Sequence, residues 1–245
     1  MIQLDQGYSI VEGVFVRAEM GGVVQTLAAD VPLRTKAGAR HLLNVPVVRD
    51  LSVDPRMLAI ARQFVGPAAT PFRATLFDKS PSANWLVVWH QDTALPLRRR
   101  VEHDGWGPWS IKAGILYAHA PAWALEQVIA LRVSLDDSSM TNGPLRVLPG
   151  THRGGVYTDE QVERLAQSTI PVDCVARSGS VVAMRPLTVH ASSKSHVAQP
   201  RRVFVPTDSL CFARCTCSCR RFRILCYGRS QRLIARAADT APADI

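Results

Sequence analysis

From residue 71 onward the chain breaks into short apolar segments at strand spacing, each closed by Gly, Pro or Ser. "PFRATLFD" alternates Phe72, Ala74 and Leu76, and "NWLVVWHQD" follows after a Ser/Pro turn. "VIALRVSLDD" sets Ile129, Leu131, Val133 and Leu135 on one face; "RVLPG", "PVDCVA", "GSVVAMR" and "LTVHASS" continue the spacing. Successive side chains on a strand point to opposite faces, so a run with period two is a half-buried strand. Many such strands in one chain must bury their apolar faces on one another, which predicts a sandwich or jelly roll. Helical spacing is confined to the N-terminal part and one later insertion. Val16, Met20, Val24 and Leu27 recur at helical intervals until Pro32, with Gly21-Gly22 weakening the pattern. "DPRMLAIARQFVG" carries Asp54 as N-cap, Pro55 at the first position and Gly66 past the end. "TDEQVERLAQ" opens on a Thr158/Gln161 capping box. The fold class expected is mainly β with N-terminal helices.

At 245 residues and 47% hydrophobic content the chain can build one sizeable core. No run approaches the length of apolar sequence that spans a bilayer, and "MIQLDQGYSIVEGVF" lacks the basic n-region of a signal peptide. A cytoplasmic protein with no membrane partner is expected. The net charge of +9 invites a nucleic-acid reading, but residues 201–245 supply nine arginines against three aspartates, or +6 of it. The remaining +3 is ordinary, and no nucleic-acid partner is expected for the body of the chain.

"NWLVVWHQD" reads as a buried strand, Trp85 to Trp89, that ends in His90 and Asp92. If the strand continues, both project from one face with Gln91 turned away. Neither group is buried cheaply alone, so the pair reads as half of a metal site or half of an acid/base pair. His190 closes a β-rich run 98 residues after Asp92, far enough to lie on a facing strand. Two His and one carboxylate leave three coordination positions open, the facial triad of non-haem iron(II) oxygenases. A satisfied core histidine beside a capping aspartate is the competing reading. Arg201, eleven residues past His190, offers a planar fork for a carboxylate; Arg202 is expected to be solvated.

"WHQD", "LDDSSMTNGPLRVLPGTHR" and "RPLTVHASSKSHVAQPRR" resemble the phytanoyl-CoA dioxygenase family of iron(II)/2-oxoglutarate-dependent oxygenases, over roughly residues 7–203. The resemblance implies a double-stranded β-helix, a cupin-like jelly roll with iron at its open end. It implies His90, Asp92 and His190 as the metal-ligating catalytic residues, with iron(II), 2-oxoglutarate and dioxygen as the cofactor and cosubstrates. Arg201 matches the residue pairing with the far carboxylate of 2-oxoglutarate, and Ser192 its hydroxyl partner. Trp109, or equally Trp106, matches an aromatic lining that pocket. The implied reaction hydroxylates a small-molecule substrate and releases succinate and carbon dioxide. Related halogenases lack the carboxylate that Asp92 supplies, so hydroxylation is expected. Asn142 and Gly143 suit a hairpin turn as well as a substrate contact, and "VEHDGWGPWSIKAG" is the expected lid, with His103 and Asp104 solvated.

The composition changes abruptly near residue 203. Five of six cysteines (Cys211, Cys215, Cys217, Cys219, Cys226) follow it, with Cys174 left as a small apolar strand residue. "CTCSCRRFR" has no counterpart in the family, and Pro206 interrupts the strand expected there. The division expected is therefore an oxygenase domain over 1–203 and an atypical Cys/Arg-rich tail over 204–245, the product of a slipped reading frame. On this reading regular pairing fades soon after Arg202. The alternatives are a catalytically impaired cupin-like protein, or a metal- or nucleic-acid-binding role for the tail. Cys211 and Cys215 have a zinc-knuckle spacing.

Overall fold

A computed structural model of the protein describes residues 2–31, 38–81, 83–100 and 103–210. Strands and helices are numbered in chain order. The largest sheet runs β1 (Tyr8–Val11), β11 (Val181–Met184), β8 (Val128–Ser134), β13 (Arg201–Leu210), β3 (Ala69–Lys79), β2 (Ala39–Arg40). A second runs β10 (Val172–Cys174), β9 (Leu145–Val147), β12 (His190–Ser192), β4 (Val87–His90). A third, smaller sheet holds β5 (Ala94–Pro96), β7 (Ile115–His119) and β6 (Trp109–Lys112). All neighbours are antiparallel. Leu145, Val147 and Cys174 of the second sheet pack with Val182 and Met184 of the first, which makes the interior of a double-stranded β-helix.

The alternation read from the sequence decides what each face of the large sheet touches. Leu76, Ile129, Leu131, Val133 and Phe204 turn outward against α1 (Arg17–Asp30), α2 (Pro46–Ser52) and α3 (Pro55–Val65), where Met20, Leu27, Leu51, Met57 and Ile60 cover them. Ala130, Val203 and Val205 turn inward, with Phe77 beside them. Asp54 caps α3 by accepting from the Arg56 N–H at 2.8 Å, and Thr158 and Gln161 close their reciprocal cap at the start of α5 (Asp159–Ser168). α2 was not expected; Pro46 begins it at the position where a missing N–H costs nothing. No helix of the described residues is long and apolar enough to cross a membrane.

Two expectations need correction. "NWLVVWHQD" is not a buried strand: β4 is the edge of its sheet, Leu86 and Val88 are exposed, and the strand stops at His90. An unbroken apolar run cannot by itself distinguish a two-sided core strand from an edge with one solvated face. Nor does pairing fade after Arg202. β13 runs to Leu210 in the middle of the large sheet, between β3 and β8. Pro206 does interrupt the ladder to β8, which skips Val205 and Pro206 and resumes at Thr207. A strand residue directs its N–H to one neighbour only, so the missing donor leaves the ladder to β3 intact from Arg201 to Thr207. Residues 211–245, with the Cys-rich motif, lie outside the described residues.

The second half of β13 is chemically out of place. A bulge after Thr207 is followed by Asp208, opposite Ile129 of the helix-facing core. Asp208 and Ser209 are 1% and 0% exposed, and neither side chain has a hydrogen-bond partner among the described residues. Burial pushes the Asp208 carboxyl up to about 7. The native state then holds this proton at a pH where the unfolded chain has lost it. Stability therefore falls as pH rises from the ordinary carboxyl range through about 7 and stays low above it. Asp208→Asn should leave stability nearly unchanged at pH 4 and raise it by roughly 3–4 kcal/mol at pH 8. Urea unfolding at both values checks this; an equal effect at both would show that Asp208 is not the buried, uncompensated acid.

Candidate active site

His90 and His190 meet because β4 and β12 pair with these two residues directly opposite each other. Their rings lie 4.2 Å apart, centroid to centroid. Asp92 lies beyond the end of β4, so strand alternation does not orient it. Its N–H donates to the Pro186 carbonyl at 3.0 Å, which turns the chain back toward the histidines. Its oxygens stand 3.9 Å from His90 Nε2 and 3.8 Å from His190 Nε2. One donor atom from each of the three lies within 4.8 Å of the others. Among the described residues this is the grouping able to hold an ion.

The tautomers suit a metal. His90 Nδ1 lies 2.8 Å from the Val88 carbonyl and His190 Nδ1 lies 2.9 Å from that of Thr188. A carbonyl only accepts, so each Nδ1 carries the proton and each Nε2 lone pair is left for a cation. Burial lowers the His190 pKa to about 4, against the opposing pull of Asp92, so the ring is neutral at physiological pH. Burial would raise the Asp92 carboxyl, but His190, Arg73, His90 and Arg132 together hold it below its ordinary value. Two imidazoles and one carboxylate with donor atoms this close together are the donor set of a six-coordinate iron(II) site with open positions.

Gln91, expected only to turn away, has a positioning role. Its Nε2 donates to the Gly155 and Leu187 carbonyls at 2.8 and 2.7 Å, and its Oε1 accepts from the Tyr157 N–H at 2.8 Å. It thereby ties the His90–Asp92 turn to the segment leading into His190. A turned-away amide gives no periodic signal; only its place between two ligands could have marked it.

Ser192 and Arg201 come together as expected, with Arg201 Nη2 3.3 Å from Ser192 Oγ. Ser192 Oγ donates to the Gly143 carbonyl at 3.0 Å. Lys79 was missed. It stands opposite Arg201 in the β3–β13 register, donates to Ser192 Oγ at 2.7 Å, and also meets the Ser193 carbonyl. Lys79 and Arg201 are 1% and 3% exposed, and no carboxylate lies within ion-pairing distance of either among the described residues. Burial, then Arg201 and Arg132, lower the Lys79 pKa to about 7; burial and Arg132 lower Arg201 to about 10. Two buried cations sharing one hydroxyl make a receptor for an anion. Lys79 was hidden in the sequence because a lysine at the end of a strand reads as solvated.

Gly143 (φ +71°) passes so close to Ser193 that a Cβ would collide with its carbonyl, and Asn142 bonds Ser139 N and the Asp137 carbonyl. Both therefore hold the turn. Arg202 is not solvated: its fork grips Asp136 at 2.7 Å through both Nε and Nη2. Trp109 lies on β6, packed beside the cluster of Leu95, Leu97 and Leu125, and does not line the cavity at the triad. Trp106 packs edge-on against Trp123. His103 and Asp104 are exposed. Cys174 is buried and its thiol is pushed up to about 12, chiefly by burial.

Residues 5–203 match the sequence profile of the phytanoyl-CoA dioxygenase (PhyH) family. The chain belongs to the phytanoyl-CoA dioxygenase family. The match ends one residue past Arg202, at the change in composition. An L-proline trans-4-hydroxylase of Streptomyces griseoviridis is 22% identical over 179 residues, which cover 62% of this chain and 59% of the hydroxylase. The chain thus spans under two thirds of that relative's length. Among solved structures, EctD from S. alaskensis with 2-oxoglutarate and 5-hydroxyectoine superposes with a TM-score of 0.64 at 19% identity, covering 84% of this chain and 73% of that one. HygX from Streptomyces hygroscopicus with nickel and 2-oxoglutarate does so at 0.61 and 20% identity, covering 85% and 84%. These likenesses establish the double-stranded β-helix of the PhyH family.

Asp92→Ala should abolish measurable Mn(II) binding while leaving the far-ultraviolet circular dichroism unchanged, since it removes a donor and not a core group. Gln91→Ala should weaken Mn(II) roughly tenfold by freeing the turn between two ligands. Calorimetric titration reads both, and wild-type affinity in Asp92→Ala would remove Asp92 from the metal site.

Proposed function

We propose that the protein is an iron(II)- and 2-oxoglutarate-dependent dioxygenase that hydroxylates a small organic substrate. The observation that carries this is the convergence of donor atoms of His90, Asp92 and His190 to within 4.8 Å of one another, with both histidine Nδ1 atoms already committed to carbonyls. These three residues would hold the iron. Iron(II) held there would supply the chemistry by which one dioxygen molecule is the oxidant for both halves: one oxygen atom would end in succinate as 2-oxoglutarate loses carbon dioxide, and the other in the hydroxyl formed at a substrate C–H bond.

The protein's own part is binding, orientation and exclusion of water. Lys79, Ser192 and Arg201 supply two charges and a hydroxyl for the far carboxylate of 2-oxoglutarate, and Arg201 Nε is a buried donor with no partner yet. Phe77 and Val205 form apolar wall between those groups and the open part of the cavity. Asp92 keeps a carboxylate where a halogenase would need room for halide, which favours hydroxylation. The similarity to a proline hydroxylase supports a small substrate.

A second reading, a catalytically impaired protein on the same scaffold, is favoured by the buried Asp208 and Ser209. We propose that residues 1–203 are the oxygenase body and that 204–245 are atypical sequence from a shifted frame; the family match ending at residue 203 supports this. The two readings part on one assay. Aerobic incubation with Fe(II) and 2-oxoglutarate should release succinate, and removing the iron or substituting Asp92→Ala should stop it. Arg201→Lys should raise the KM for 2-oxoglutarate about tenfold or more, because a point charge cannot replace the fork. Metal-dependent 2-oxoglutarate binding without succinate would establish the impaired reading instead.

A further inference from the structure

The cavity at the triad, about 260 Å³, has a second concentration of positive charge that metal and cosubstrate do not use. Arg40, Arg73, Lys112 and Arg132 line it, and Asp92 is its one carboxylate. Arg132 is accounted for: it is buried on β8, stacks on Phe77 at 5.4 Å and acts on Asp92. Arg73 and Arg40 come from β3 and β2 of the same sheet, and Lys112 from β6 of the third sheet. Arg73 makes a long contact to Thr207 Oγ1 at 3.4 Å, and its charge acts on the Tyr117 hydroxyl. Arg40 lies beside it, opposite Thr75 in the β2–β3 register. Lys112 rests over the Tyr117 ring at 5.2 Å. Among the described residues none of the three has an acid within ion-pairing distance. Their field is felt locally: after burial, Arg73 and Arg40 are what lower the His41 pKa.

These cations are not a second hold on 2-oxoglutarate. Arg73, Thr75, Phe77 and Lys79 share the inward face of β3, and six residues separate Arg73 from Lys79. That is roughly 20 Å along a strand, well beyond the reach of a five-carbon diacid already placed against Lys79 and Arg201. The two anion sites lie at opposite ends of one strand face, with Asp92 under the influence of Arg73 from one side.

We propose that the enzyme takes a substrate bearing a carboxylate, clamped by the Arg73 guanidinium with Arg40 and Lys112 around it. This rests on the dioxygenase reading and adds the substrate class to it. The cavity volume limits that substrate to a small organic acid. Arg73, on an inner strand and in contact with Thr207, supplies the fork, while Arg40 and Lys112, both exposed, supply attraction at the mouth.

The test titrates the whole protein by calorimetry with a panel of three- to six-carbon monocarboxylic acids, L-proline included, each paired with its primary amide. Titrations are run with and without Mn(II) and 2-oxoglutarate. Metal-dependent binding of 2-oxoglutarate reports the underlying reading by itself. At least one acid should bind tenfold or more tightly than its amide, the factor expected for one charge-assisted bidentate contact. Arg73→Gln should erase that preference and leave the 2-oxoglutarate Kd within twofold, whereas Arg201→Lys should do the reverse. Arg73→Lys, a milder change, should retain part of the preference and guards against a fold defect. Acids and amides binding alike, no acid binding at all, or Arg73→Gln weakening 2-oxoglutarate as much as the acid would each overturn the proposal.

Discussion

The site depends on one register: β12 lies beside β4 with His190 opposite His90. Side chains alternate along a strand, so a slip of one residue would turn one imidazole out of the cavity. β4 cannot fix that register, being a four-residue edge strand with one solvated face. The restraint comes from the other side. β12 is also paired to β9, with His190 opposite Val147, and Ser192 is bonded to the Gly143 carbonyl. Gln91 then ties the turn after His90 to Leu187. The triad is thus held mainly by contacts to groups that are not ligands, which orient the ligands on a short edge strand.

Charge is the second constraint. Lys79, Arg132 and Arg201 are buried near one another: Arg201 and Arg132 add to burial in lowering the Lys79 pKa, and Arg132 adds to burial in lowering that of Arg201. Such a cluster destabilises the free protein, since each charge has left water without a full partner. It becomes favourable when an anion arrives, so stability given up in the free state returns as affinity. The cavity wall at Arg73 follows the same logic at lower cost, because Arg40 and Lys112 remain hydrated. A chain whose sequence charge outside the tail is an unremarkable +3 therefore gathers positive side chains along the inward faces of β3, β8 and β13.

Strand spacing was legible wherever a segment had two distinct faces, as in β3 and β8, and the capped helices α3 and α5 began where their Asp and Thr caps placed them. The ligands were legible because H-x-D before a polar turn and a distant His follow a pattern of chemistry, not of packing. Lys79 and Arg73 were not, since a cation on an alternating strand looks the same whether its face meets solvent or a cavity. Which it meets is set by the pairing of β3 with β13, a contact between residues more than a hundred positions apart. The edge status of β4 was hidden for a related reason: Leu86 and Val88 are apolar yet exposed, and apolar residues on a surface are ordinary.

β13 joins these threads. Its first residue, Arg201, faces Lys79 and completes the cosubstrate end; Thr207 faces Arg73 and completes the other. Between them Phe204 closes the core against the helices. The family match covers only the opening of this strand, and the misfit groups Asp208 and Ser209 sit at its far end. Loss of order there would release Thr207 and the Arg73 wall first, while Arg201, anchored next to the Arg202–Asp136 pair, would stay in place. The proposed metal and 2-oxoglutarate sites would therefore be buffered from the defect that the proposed substrate wall is not. On that asymmetry, the proposed cosubstrate binding would survive under conditions that already blunt the proposed selection of a carboxylate substrate.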